Sequence, residues 1–121
     1  MAVVHRRVSL VTGSSRGLGS AIARRLARDG LAVAVNGRHD HELAIEVVGA
    51  IRDEGGVADA FTADVTNDQQ VAELVAAVAA RLGPVEVLVL NATGPQPEAP
   101  LDEVGWGEDV AQLEPVRAYT D

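Results

Sequence analysis

The stretch Val8-Ser9-Leu10-Val11-Thr12-Gly13-Ser14-Ser15-Arg16-Gly17-Leu18-Gly19 constrains this chain more than any other. It reads as a short apolar strand, a glycine-rich turn and the start of a helix. The helix continues through Ser20-Ala21-Ile22-Ala23-Arg24-Arg25-Leu26-Ala27. A strand that turns at once into a helix aims the helix's first unpaired N–H groups at one point. Those donors and the helix dipole favour an anion there, typically a phosphate. Gly13 suits the tight exit from the strand, Gly17 leaves room for a phosphate, and Gly19 lets the helix pack close to the strand. A purely structural turn is the competing reading. The strand before and the amphipathic helix after favour a dinucleotide site.

The chain has 121 residues, enough for one domain, and its apolar fraction of 47% comes with only 2% aromatics. The core must therefore be built from Val, Leu, Ile and Ala, which suits a parallel sheet buried under helices. There is no cysteine, so there is no disulfide framework and no thiolate metal site. The net charge of −8 argues against a nucleic-acid partner. No stretch is long enough to span a membrane. The N-terminus lacks the ordered regions of a signal peptide, and the glycine loop follows Arg6-Arg7 too closely for a twin-arginine signal. The expectation is a cytoplasmic protein.

Strand and helix alternate along the chain. The first helix is expected from about Gly17 to Asp29, with Leu18, Ile22 and Leu26 as its apolar stripe, Ala21 beside it, and Gly30 as its stop. Leu31–Val35 reads as a second strand. Asp40 to Glu54 reads as a second helix, capped by Asp40, with Leu43, Val47 and Ile51 on one face. Val57 to Thr62 is a third strand. Asn67 to Leu82 is an amphipathic helix, carrying Val71, Leu74, Val75, Val78 and Leu82 inward. Gly83-Pro84 breaks it, and Val85–Leu90 is a fourth strand. Such alternation predicts an α/β fold: a three-layer, Rossmann-type parallel sheet of about four strands in the order 3-2-1-4, with flanking helices. A ligand should sit across the C-terminal ends of strands one and four.

The second strand ends in Asn36-Gly37-Arg38, where a Rossmann half reads the adenosine ribose. An acidic residue there would accept from the free 2′-hydroxyl of NAD. Arg38 stands there instead, and a guanidinium would bind a 2′-phosphate with charge-assisted bonds. Arg16 could reach the same phosphate from the glycine loop. At about 1.5–3 kcal/mol each, two such bonds would favour NADPH over NADH roughly a hundredfold or more. The plainer alternative is a pair of ordinary surface arginines. His39 and His41 form a His-x-His pair without a third ligand at sensible spacing, so no metal site is expected.

The spacing Thr12-Gly13-x-x-x-Gly17-x-Gly19 resembles the short-chain dehydrogenase/reductase family, and the likeness runs from about Val8 to about Leu101. The resemblance implies cofactor contacts from Gly13, Ser14, Ser15, Arg16, Gly17, Leu18 and Gly19. It implies NADP(H), with NAD less favoured, from the basic residues Arg16 and Arg38. Asp64-Val65 resembles the family's adenine-bordering pair, a carboxylate that accepts from the amino group followed by an N–H for a ring nitrogen; the simpler role for Asp64 is to shape the turn. Asn91-Ala92-Thr93-Gly94 resembles the Asn-Asn-Ala-Gly element that steadies the sheet and lines the cleft beside the nicotinamide ribose. Leu90 stands at the first Asn, and Thr93 is inserted before Gly94.

The family's catalysis uses a tyrosine acid/base, a lysine four residues later, a serine and an asparagine. None carries over. The chain has no lysine, and its single tyrosine is Tyr119. Trp106 marks where the next helix would begin, but Asp109 to Glu114 supplies no asparagine, and from Pro115 the helical pattern stops. Residues 1–121 therefore read as one truncated cofactor-binding domain whose 95–121 segment is irregular or divergent. This ending fits a shortened product, a frameshift or real divergence. Two functions follow: an NADP(H)-dependent oxidoreductase acting on a carbonyl or alcohol, with its catalytic half absent from this chain, or a non-catalytic dinucleotide-binding fragment or assembly partner. A bare edge on strand four would invite self-association or a partner chain.

Overall fold

A computed structural model of the chain describes residues 5–92. Four strands and three helices alternate: β1 (Val8–Val11), α1 (Gly17–Arg28), β2 (Ala32–Gly37), α2 (His41–Asp53), β3 (Val57–Thr62), α3 (Asp68–Arg81) and β4 (Val85–Val89). All strand pairings are parallel, and the sheet order is β3-β2-β1-β4. This is the order and architecture expected from the apolar runs. The boundaries moved a little: β2 runs on to Gly37, and β4 stops at Val89 rather than Leu90.

The strands alternate their side chains between two cores. Val11, Val33, Val35, Ala58 and Ala60 pack on one side with Ala23, Ala27, Ala44, Val47, Val48 and Ile51 of α1 and α2. Val8, Leu10, Ala32, Ala34 and Phe61 pack on the other with Leu74 and Val78 of α3. Small and branched side chains on a strand let helices lie close on both faces, which is how a chain so poor in aromatics still closes its core. The register of β1 against β4 shifts between Val8 and Ser9.

The buried stripe of α1 differs from the one expected, while α2 keeps Val47 and Ile51 inward as expected and only Leu43 departs. In α1 the buried residues are Gly19, Ala23 and Ala27, while Ile22 and Leu26 are partly buried. Leu18 is 70% exposed, and Ala21 also faces solvent. The reason is close approach. A Cβ on Gly19 would lie 2.2 Å from the Gly13 carbonyl oxygen and 2.9 Å from Ser14 Cα. A helix that docks through its small residues turns Leu18 outward. In α2, Ala44, Val47, Val48 and Ile51 face inward, and Leu43 is partly exposed. The predicted face of α3 holds, with Val71, Leu74 and Val78 buried.

Asp40 precedes α2, but its side chain makes no capping hydrogen bond. It is engaged elsewhere, as described below. Asn67 does cap α3, accepting from the Gln70 N–H at 3.0 Å. The expectations for Thr93, Gly94, the 95–121 segment, Trp106 and Tyr119 lie outside the described residues. Among the described residues, no helix is long and apolar enough to cross a membrane.

Candidate dinucleotide-binding site

The site begins where β1 stops. Gly13 has φ +62°, a left-handed conformation that a side chain resists, and Gly17 has φ +60°. A Cβ on Gly13 would come within 2.9 Å of Ala92 Cα, so the turn also needs its smallness. At Gly17 a Cβ would meet nothing within 4 Å. Gly17 is therefore demanded by backbone conformation, and the space beside it is open. The N-terminus of α1 receives no side-chain cap and has no acidic residue in its first turn. The other two helices carry Glu42 and Asp68 there. An uncapped N-terminus keeps its N–H groups and dipole available for an anion.

A buried polar network holds this loop against three strand ends. Asn36 is its hub, only 2% exposed. Its Oδ1 accepts from the Gly13 N–H at 3.0 Å, and its Nδ2 donates to the carbonyls of Phe61 at 3.3 Å and Ala63 at 3.2 Å. The Asn36 backbone N–H donates to Ser14 Oγ at 2.9 Å, and Ser14 Oγ donates to the Val11 carbonyl at 2.7 Å. On the other side, Thr12 Oγ1 accepts from the N–H groups of Asn91 and Ala92, both at 3.0 Å. Asn91 Nδ2 donates to the Gly13 carbonyl at 3.0 Å. The loop's shape is thus dictated from β1, β2 and β4 together. Every buried side-chain polar atom among the described residues has a partner.

Above the network lies a cavity of about 560 Å³. Gly13, Ser15, Arg16, Arg38, Asp64, Val65, Asn91 and Ala92 line it, eight of the residues expected from the sequence. Ser14 does not reach it, being fully buried in the network beneath. Leu18 is turned to solvent. Gly17 and Gly19 belong to the helix start, and Gly94 lies outside the described residues.

Both arginines are already near carboxylates. Arg38 Nη2 is 3.2 Å from Asp64 Oδ2. Arg16 Nε is 3.9 Å from Asp40 Oδ2, with the Arg16 side chain largely exposed. Asp64 also shapes its own turn: its Oδ1 accepts from the Thr66 N–H at 2.9 Å and the Thr66 hydroxyl at 2.6 Å. Those Thr66 donors, with Arg38 adding a smaller effect, hold the Asp64 carboxyl below its usual range. Asp40 accepts from the Ser15 hydroxyl, which is the main reason its carboxyl is likewise held low. Both are carboxylates at neutral pH. Among the described residues, no three His, Asp or Glu side chains gather as a metal cluster.

In the sequence Asn36 reads only as the end of a strand and Asp40 as a helix cap. A polar residue closing an otherwise apolar strand was the available signal for Asn36. Nothing local marks Asp40, because its partner Ser15 lies 25 residues earlier.

The fold and loop define a Rossmann-type domain of the NAD(P)-binding kind. The uncapped start of α1 and the polar cavity beside it are of a kind that suits a phosphate-bearing dinucleotide. A family model described as short chain dehydrogenase matches residues 7–112, and the chain belongs to that family. It is 46% identical over 83 residues to a 3beta-hydroxysteroid dehydrogenase of Eggerthella lenta, covering 69% of this chain and 32% of that protein. An actinorhodin polyketide ketoreductase variant solved with NADPH superposes with a TM-score of 0.79 at 40% identity, covering 99% of this chain and 47% of that one. A metagenomic short-chain oxidoreductase in complex with NADP gives a TM-score of 0.77 at 32% identity, covering 94% of this chain and 55% of that one. The chain spans about a third of the length of the curated relatives it matches, from 32% to 42% for the hydroxysteroid dehydrogenase and an oxidoreductase of Methylorubrum extorquens.

Proposed function

We infer that this chain forms the NADP(H)-binding half of a short-chain oxidoreductase that moves hydride between nicotinamide and a carbonyl or alcohol. The observation that carries the reading is the placement of Arg16 and Arg38 on one cavity, at the β2 end of an uncapped α1. A 2′-phosphate there would draw Arg38 off Asp64 and Arg16 off Asp40, exchanging solvent-exposed ion pairs for charge-assisted bonds to a dianion. The NADP and NADPH complexes of two structural neighbours are consistent with it. In this reading the pyrophosphate takes the N–H groups at Gly17, Leu18 and Gly19. Asp64 and Val65 border the adenine. Asn91, Ala92 and Gly94 line the approach to the nicotinamide ribose.

The chain has no lysine, so the family's tyrosine–lysine pair is not within residues 1–121. We therefore expect binding without turnover by this chain, and a carbonyl or alcohol substrate only where a catalytic half is supplied. A cysteine-free chain that uses this cofactor fits a cytoplasmic setting. Calorimetric titration of the purified chain with NADPH and with NADH tests the cofactor assignment. Saturable binding that favours NADPH is the expected result. Binding of neither, or a preference for NADH, overturns it. Turnover of any carbonyl by the chain alone would refute the expectation of inactivity.

A further inference from the structure

The last residue of β2 is Gly37, which has no side chain. Its place is taken from outside the strand. A Cβ on Gly37 would lie 2.5 Å from Asp40 Oδ1, so the Asp40 carboxylate stands where a side chain at the end of β2 would stand. Asp40 is fixed there by the Ser15 hydroxyl and faces Arg16 at 3.9 Å. The cavity rim therefore carries two carboxylates, Asp40 and Asp64, against two guanidiniums, Arg16 and Arg38. It is charge-balanced, not simply basic.

Resting on the reading of this end of the cavity as the ribose subsite, we propose that Asp40 sets how strongly the site discriminates a 2′-phosphate from a free 2′-hydroxyl. Its carboxylate competes with a 2′-phosphate for Ser15 and Arg16, and repels the dianion directly. Toward a free 2′-hydroxyl it is an acceptor, supplied from the loop after β2 instead of from the strand itself. The outcome is a site that takes the phosphorylated cofactor through its arginines yet retains real affinity for the unphosphorylated one. Asp40 acts here as a specificity residue and not as a catalytic one.

Asp40→Asn is the decisive variant. It is isosteric and keeps an oxygen to accept from Ser15, so it removes the charge and little else. Adenosine 2′,5′-bisphosphate and 5′-AMP are the probes, with NADPH and NADH as the full ligands. In D40N the affinity ratio of bisphosphate to AMP should rise about tenfold, mostly through tighter bisphosphate binding, and the rise should shrink in high salt as a charge effect must. In an Arg16→Ala background the same substitution should gain less, because part of the effect acts through Arg16. Far-UV circular dichroism and the urea midpoint report whether each variant is folded. Should D40N misfold, Asp40→Ser serves in its place, with the same direction expected. An unchanged ratio in a folded variant that still prefers NADPH overturns the role of Asp40 and leaves the cofactor assignment standing. A wild-type chain that binds none of the four ligands removes both.

Discussion

At the scale of single residues, the loop separates what a glycine does for the fold from what it does for a ligand. Gly19 is the structural case. A Cβ there would strike the Gly13 carbonyl oxygen at 2.2 Å and Asn91 Nδ2 at 2.5 Å, and the first of these is backbone that cannot swing aside. Gly19→Ala should therefore cost about 1–3 kcal/mol of stability by forcing α1 off the sheet, read as a lower urea midpoint, and it should abolish NADPH binding. Arg38 is the opposite case. It is half exposed, and its pair with Asp64 contributes little to folding. Arg38→Ala should leave the urea midpoint nearly unchanged and weaken NADPH binding about tenfold or more while sparing NADH. Equal loss for the two cofactors would mean that Arg38 does not meet a 2′-phosphate. Asp64 adds a pH signature. Its folded-state value is depressed, first by Thr66 and then by Arg38. Its stabilisation is complete above the unfolded carboxylate value of about 4 and is lost as pH falls through the folded value. Asp64→Asn should therefore lower the urea midpoint at neutral pH and flatten the acid limb of the stability–pH curve, so that variant and wild type converge as pH falls.

At the scale of elements, what local patterning encodes was legible and what distant partners decide was not. Apolar runs at Val8, Ala32, Val57 and Val85 announce four strands, and parallel order follows from the helices between them. The stripe of α1 could not be read from hydrophobicity alone. Its buried ridge is Gly19, Ala23 and Ala27, small residues that rank low on any apolar count, while Leu18 stands in solvent. The same limit applies at the site. The glycine loop is continuous in sequence and was found there. The Asn36 hub joins residues 13, 61 and 63 across three separate elements, and Asp40 meets Ser15 across a whole βα unit. That hub carries a testable cost. Asn36→Leu would strip partners from the Gly13 N–H and from the Phe61 and Ala63 carbonyls, all at buried strand ends. Each orphaned group costs about 1–3 kcal/mol, so the variant should unfold at markedly lower urea and lose NADPH binding together. A folded variant of near-normal midpoint would show that the loop holds its shape without the Asn36 side chain.

At the scale of the whole molecule, the two sheet edges differ in the charges they carry among the described residues. On β3, Asp59 is flanked by Arg81 at 2.6 Å and Arg52 at 3.7 Å, and Arg81 also lies over the Phe61 ring. Charges so placed discourage another strand from docking. On β4, Val87, Leu88 and Val89 are half-buried, Leu90 is exposed, and the lone charge of the strand is Glu86, which is drawn toward His5 and Arg7 at its start. Among the described residues β4 hydrogen-bonds on one side only, to β1. An apolar strand with an open row of backbone groups is a template for another chain, and a net charge of −8 spread over the surface opposes that pairing only weakly at physiological salt. We therefore propose that the isolated chain self-associates through β4, or takes a partner chain there. Sedimentation equilibrium should show mass rising with concentration in the micromolar range. Val87→Lys, which sets a charge on the edge as Asp59 does on β3, should shift the chain toward monomer without altering NADPH affinity, since Val87 lies below the strand ends that carry the cavity. A wild-type chain that stays monomeric throughout that range would show that β4 is not an open edge in solution.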